Sequence, residues 1–262
     1  MCFEESLDSN DALALDFQRA KFIMKKEYMV NSISYRLSYL WLFLEPLLSA
    51  LVFYFVFSII RADFNLASLF IGLAIIRGFT IGMNSGLGTR ILDGGLKIDR
   101  VSSRAITIAF FMKLIVDSIF SASGVAAILV IFFDSGAASI IALFVANILI
   151  SFCSYSFYSI FQFPILRSPD LGRLLKFSGM AMFFGSPVLY PLGMTNGIHR
   201  AICIYNPFSY FVEPVRFLAL DSTDYLLLKS ELAIVYSLCF LVLLFLSLLR
   251  IEKVRWETST WA

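Results

Sequence analysis

LLKFSGMAMFFGSPVLYPLGMTNGIHRAICIYNPFSYFVEPVRFLAL, residues 174–220, is the stretch that decides how this chain is built. An uncharged run, 177–194, is interrupted near its end by Pro187 and Pro191. Asn196-Gly197 then turns the chain, and two short apolar pieces follow, 198–205 and 208–220, parted by Asn206-Pro207. A membrane crossing takes ~20 apolar residues, and neither piece is long enough. Backbone that stops and restarts at membrane depth stays satisfied only against protein or in a hydrated cavity. The pattern predicts a broken, half-spanning hairpin at a pore or gate, held by the other segments.

Composition sets the class. The 262 residues are 59% hydrophobic and 15% charged, with a mean hydropathy of +0.83, outside the range of soluble domains. The chain reads as a polytopic membrane protein. A net charge of +2 says little about partners, and no nucleic-acid partner is expected. Cys2, Cys153, Cys203 and Cys239 are scattered without a C-x-x-C pair, so neither a metal site nor a disulfide framework is indicated. The N-terminus is acidic before it is basic and lacks the pattern of a cleaved signal peptide, so insertion is expected to use an internal span.

Residues 13–28 predict a helix with Leu13, Phe17, Ala20, Met24 and Tyr28 on one face. It either lies along the headgroups or packs between the membrane and a soluble partner. The first expected span, 37–60, carries Glu45-Pro46; a carboxylate there turns toward protein or water. The second, 66–83, holds Arg77 and leads into a polar loop, 90–104. Residues 105–133 exceed one crossing, so the third span is expected over 114–133. There Lys113 and Asp117, four apart on one helical face, read as a mutually neutralising pair. The uncharged fourth span is 137–163, the fifth is the run 177–194 and the last is 232–249.

Lys and Arg are unevenly placed. The N-terminal tail has five, the 90–104 loop four, the 167–176 loop three and the C-terminal tail three. The alternate segments hold only Arg61, Arg200, Arg216 and Lys229. The positive-inside rule places both termini in the cytoplasm and the broken hairpin at the outer face. The expected fold is an all-α membrane protein of six transmembrane helices, with an N-terminal interfacial helix and short re-entrant outer helices between spans 5 and 6. Residues 1–36 form the cytoplasmic tail and interfacial helix, 37–249 the transmembrane domain and 250–262 a second cytoplasmic tail.

The sequence offers little chemistry of its own. It has no G-x-x-x-x-G-K-[ST] phosphate loop, and its one histidine, His199, has no acid and nucleophile to complete a catalytic set. A transport subunit energised by a separate chain fits better than a membrane-embedded enzyme.

Three motifs carry a family resemblance. Tyr39-Leu40-Trp41 with Glu45-Pro46 resembles the Y-L-W-x-x-L-E-P signature of ABC-2 type export permeases, in particular those of capsular polysaccharide and O-antigen exporters. Ser186-Pro187-Val188-Leu189-Tyr190-Pro191 resembles their S-P-V-x-Y-P element, and Asn206-Pro207 with Glu213 and Arg216 their N-P-x-x-x-x-x-E-x-x-R element. All three fall in the family's order, over nearly the whole chain. One departure is Lys97-Ile98-Asp99-Arg100, where family members often have a Phe-Pro-Arg turn.

The resemblance implies a multi-pass protein of the inner (plasma) membrane, a homodimer working with two copies of an ABC nucleotide-binding subunit. It implies export of a lipid-linked polysaccharide of capsule, O-antigen or teichoic-acid type. ATP and Mg would be bound by that partner, with no cofactor and no catalytic or metal-binding residue in this chain. Lys97, Asp99 and Arg100, with Arg167 and Asp170, would couple to the ATPase. Pro187, Tyr190, Pro191, Asn206, Pro207, Glu213 and Arg216 would form the outer gate, although on the residues alone Glu213 and Arg216 read equally as a structural ion pair.

Sugar rings present apolar C–H faces that lie well against aromatic side chains. That makes Trp41, Tyr54, Phe152, Tyr155 and Tyr158, with Glu45, the candidate channel lining, against the alternative that each packs between helices or faces lipid. Two other functions stay open: an ABC-2 exporter of a small lipophilic drug or lipid, and a membrane-embedded glycosyl or acyl transferase.

Overall fold

The computed structural model describes residues 9–34, 38–60, 66–88 and 103–259. Among them the chain is all-helical: α1 Ser9–Ser34, α2 Ser38–Ile60, α3 Leu66–Leu87, α4 Ser103–Phe133, α5 Ala137–Ser159, α6 Gln162–Arg167, α7 Pro169–Phe184, α8 Gly197–Tyr205, α9 Ser209–Leu220 and α10 Ser230–Ser259. Single 3-10 turns at Leu192–Met194 and Thr223–Leu227 flank the α8–α9 pair. Four stretches are long and apolar enough to cross a membrane: Leu66–Leu87, Ala105–Phe133, Ala137–Ser159 and Ser230–Ser247. Residues 1–8, 35–37, 61–65, 89–102 and 260–262, and with them Lys97, Asp99 and Arg100, lie outside the described residues.

α3 is the core of the bundle because its side chains are small where α5 passes. A β-carbon added at Gly78 would meet Asn147 Oδ1 at 2.5 Å, one at Gly86 would meet the Tyr155 carbonyl at 2.9 Å, and one at Gly82 would run into Ser151 and Ser154. Small residues at such spacing let two membrane helices touch backbone to backbone. The contacts climb in the same order on both helices, so α3 and α5 run parallel. α4 runs antiparallel to α5: Phe110 stacks on Tyr155 at 6.3 Å, and Ser118 donates to Ser151 at 2.8 Å. Asn147 Nδ2 donates to the Ala74 carbonyl at 2.7 Å, and Gln162 Nε2 donates to the Gly86 and Gly88 carbonyls at 2.8 and 3.1 Å. That last pair holds the end of α3 against the end of α5.

Two expectations change. Lys113 and Asp117 do not pair with each other: Lys113 Nζ meets Glu27 Oε2 at 2.7 Å, and Asp117 accepts from the Tyr28 hydroxyl at 2.5 Å. A partner helix satisfies both groups without bending their own helix. These contacts also set the rotation of α1. Of the expected apolar face, Ala20 is buried but Leu13 and Phe17 are exposed, and Asp16 joins Ala20 in the contact. The fifth segment is shorter than expected. α7 stops at Phe184 after 16 residues, ~24 Å of helix, short of the ~30 Å hydrocarbon core.

Candidate functional site

Beyond α7 the backbone cannot stay helical, because Pro187 and Pro191 lack N–H donors. The chain passes through turns and bends over 185–190, is extended at Pro191, turns at Gly197 (φ +58°) and enters α8. α8 descends to Asn206-Pro207, and α9 climbs back. The elbow is self-satisfied: Asn206 Oδ1 accepts the Phe208 N–H at 3.0 Å, while its Nδ2 donates to the Met182 and Gly185 carbonyls at 3.3 and 3.0 Å. Ser209 Oγ donates to the Cys203 carbonyl at 2.5 Å. Phe208 packs edge-on against Phe79 at 4.6 Å, whereas Arg216, further up α9, reaches Ser68. Ser68 and Phe79 lie on α3 about 17 Å apart. The elbow therefore lies well along α3 from its Ser68 end, and the two short apolar pieces of the predicted hairpin are present as the helices α8 and α9.

Arg216 organises this region. It is fully buried, as is Glu213. Its Nη1 donates to the Pro187 carbonyl at 2.6 Å, the Tyr190 carbonyl at 3.1 Å and Glu213 Oε1 at 2.8 Å. Its Nη2 donates to the Val188 and Ser68 carbonyls at 2.8 and 3.0 Å, and Nε donates to Ser68 again at 3.3 Å. A planar fork with five N–H donors suits this better than any other side chain. Carbonyls of the non-helical 187–190 stretch thus find their donor in one side chain. Glu213 Oε1 also accepts the Leu192 N–H at 3.3 Å. Burial raises the Glu213 carboxyl above its ordinary pKa, opposed by Arg216; burial likewise lowers Arg216, opposed by Glu213. Each group favours the charged form of the other.

The rest of the predicted outer set joins the same cluster. Tyr190 Oη lies 2.5 Å from His199 Nε2 across the two arms, and burial pushes the Tyr190 hydroxyl up. Asp224, which drew no attention in the sequence, accepts the Gly193 N–H at 2.8 Å and ties the 3-10 turns together. Its sequence signal is slight, a short polar run Asp221-Ser222-Thr223-Asp224 between apolar segments. Among the described residues, no three His, Cys, Asp or Glu side chains converge as a metal site.

The six candidate lining residues do not share one cavity. Tyr155 is completely buried between Phe110 and Phe111, at 6.3 and 5.9 Å, and Phe152 packs on Phe111 at 5.2 Å. Tyr158 is buried beside Phe79 at 5.9 Å. Trp41 and Tyr54 are exposed on α2, and Glu45 pairs with Arg77 of α3. Helix contacts, more than a channel, account for the three α5 aromatics within a single copy of the chain. Polar residues in an uncharged span were the overlooked signal: Asn147, Ser151 and Ser154 all face protein. On the opposite end, Arg167 is exposed and Asp170 pairs with Arg173 at 3.2 Å on the surface. Both lie next to the end of α3 that Gln162 anchors. No protein-family model matches the chain, and no curated protein sequence matches it.

Proposed function

We propose that this chain is the membrane-spanning subunit of an ATP-driven ABC-2 type exporter, moving a lipid-linked polysaccharide outward across the inner (plasma) membrane. The observation that carries the reading is the Arg216 clamp. An arginine from the N-P…E-x-x-R motif holds the carbonyls of the S-P-V-L-Y-P motif, so two of the three resembling motifs meet in one structure. On this reading α2, and α7 together with the chain that follows it to Leu192, join the four long apolar helices to make six crossings. Both termini then lie in the cytoplasm, in keeping with the distribution of Lys and Arg.

The subunit works as a homodimer with two copies of a nucleotide-binding subunit, which binds ATP and Mg and supplies the energy. The 90–104 loop, with Lys97, Asp99 and Arg100, and the exposed Arg167 and Asp170 form the coupling surface. The clamped hairpin is stiff enough to move as one piece, so motion of α7 is passed to both outer helices and opens or closes the external mouth. Trp41 and Tyr54, exposed on α2, are the lining residues left free to meet sugar between two copies.

The test is reconstitution in proteoliposomes with a polysaccharide-type ABC ATPase. Lipid-linked polysaccharide should raise ATP hydrolysis, and Asp99→Arg should lower the stimulated rate without dissociating the complex. Stimulation by small lipophilic compounds alone would move the substrate to that class. Turnover of a lipid-linked sugar by the chain alone, without ATP, would replace the transporter with a transferase.

A further inference from the structure

A groove of about 900 Å³ runs between α5, α9 and α10, apart from the Arg216 clamp. Its walls are apolar, with Leu149, Phe157, Phe211 and Phe240 among them. α10 carries little of the bundle's packing, and Ile234, Val235, Leu238 and Leu241 are exposed along it. The groove follows α10 from Lys229 to Leu243, about 21 Å of helix. One leaflet of the hydrocarbon core is about 15 Å deep, so the groove is long enough for an acyl chain lying along the helix.

Lys229, at one end, is the one charged residue among those that line the groove. Lys229 immediately precedes α10 and is exposed. Its Nζ donates to the Tyr205 hydroxyl at 2.9 Å, and its N–H donates to the Tyr210 hydroxyl at 3.3 Å. Tyr236 donates to the Tyr205 carbonyl at 2.6 Å, which fixes the same corner. Glu231 is close enough to favour the ammonium, but among the described residues no carboxylate forms an ion pair with it. A fixed cation at the head of an apolar slot one leaflet deep matches a lipid with one negative charge at its headgroup. A neutral hydrocarbon would leave the cation unused.

We propose that this groove is a selective site for an anionic glycerophospholipid of the phosphatidylglycerol type, its phosphate on Lys229 and its acyl chain along α10. The site is independent of what the protein transports. The Tyr205 hydroxyl holds the ammonium and the Tyr210 hydroxyl holds the Lys229 backbone N–H, so the headgroup meets a preset charge instead of a mobile side chain.

The test places a Phe240→Trp reporter in the groove of the full chain, with Trp41, Trp256 and Trp261 changed to Phe. The protein is reconstituted in phosphatidylcholine vesicles carrying equal fractions of brominated phosphatidylglycerol or brominated phosphatidylcholine. Bromine quenches the indole only on contact. The expected result is roughly fivefold preferential quenching by the anionic lipid, lost in Lys229→Gln and restored in Lys229→Arg. Far-UV circular dichroism confirms equal helix content in each variant. Equal quenching by both lipids in the parent, or a preference that survives Lys229→Gln, overturns the proposal. Absence of quenching by either lipid also overturns it, because the groove is then filled by protein, such as a second copy of the chain.

Discussion

Replacing Arg216 with Met removes the donor that Ser68, Pro187, Val188 and Tyr190 share, and it strands Glu213. The two losses have different sizes and different pH behaviour. Hydrogen bonds between membrane segments average about 0.6 kcal/mol, so the four carbonyls together are worth about 2–3 kcal/mol at any pH. A stranded Glu213 escapes its charge by binding a proton. That costs about 1.4 kcal/mol for each pH unit above its unfolded value near 4.3, or about 2 kcal/mol at pH 6 and about 5 kcal/mol at pH 8.

The sign follows from the direction of the shift. Burial already raises the folded Glu213 carboxyl, and the lowering influence of Arg216 is gone in the variant. Below the unfolded value both states are protonated and nothing is lost; the loss then grows with pH until the raised folded value is passed. Because the wild-type carboxyl is itself raised, Arg216→Met is expected to melt further below the wild type at pH 8 than at pH 6 by at most about 6–12 °C, taking about 2–4 °C per kcal/mol. Arg216→Met combined with Glu213→Leu should lose that slope and keep only the clamp deficit. Thermal unfolding in detergent, followed by size-exclusion chromatography, reads both. Full recovery in the double variant would mean that the carbonyl contacts contribute nothing. An Arg216→Met protein as stable as the wild type at pH 8 would refute the clamp altogether.

Other variants probe the surrounding packing. Gly82→Ala drives a β-carbon into Ser151 and Ser154 and should cost about 1–3 kcal/mol, whereas Gly136→Ala, with open space around it, should change the melting temperature little. Tyr28→Phe removes the contact to Asp117 and should raise hydrogen exchange across α1 while leaving α3 and α5 protected; unchanged exchange would mean that other contacts alone hold α1. Asn196→Cys, in a background with the native cysteines changed to Ser, should react with a membrane-impermeant maleimide from outside the cell. Labelling only after permeabilisation would invert the topology.

Hydropathy and proline placement are local quantities, and they determined a great deal without any coordinates. They marked a membrane protein, located its long apolar helices and predicted the broken hairpin within 174–220, because a segment's length and its missing N–H donors do not depend on its neighbours. Which groups satisfy one another depends on neighbours, and only the tertiary structure decided it. Lys113 and Asp117 share a helical face, yet α1 offers Glu27 and Tyr28 across a helix interface, at distances no sequence spacing encodes. Tyr155 reads as well for a channel as for a core until Phe110 and Phe111 close around it. Glu213 and Arg216, three apart, read equally as a structural ion pair or as part of a gate. The fold makes the arginine a clamp because Ser68, 148 positions away in the chain, arrives at the same point as the proline-freed carbonyls.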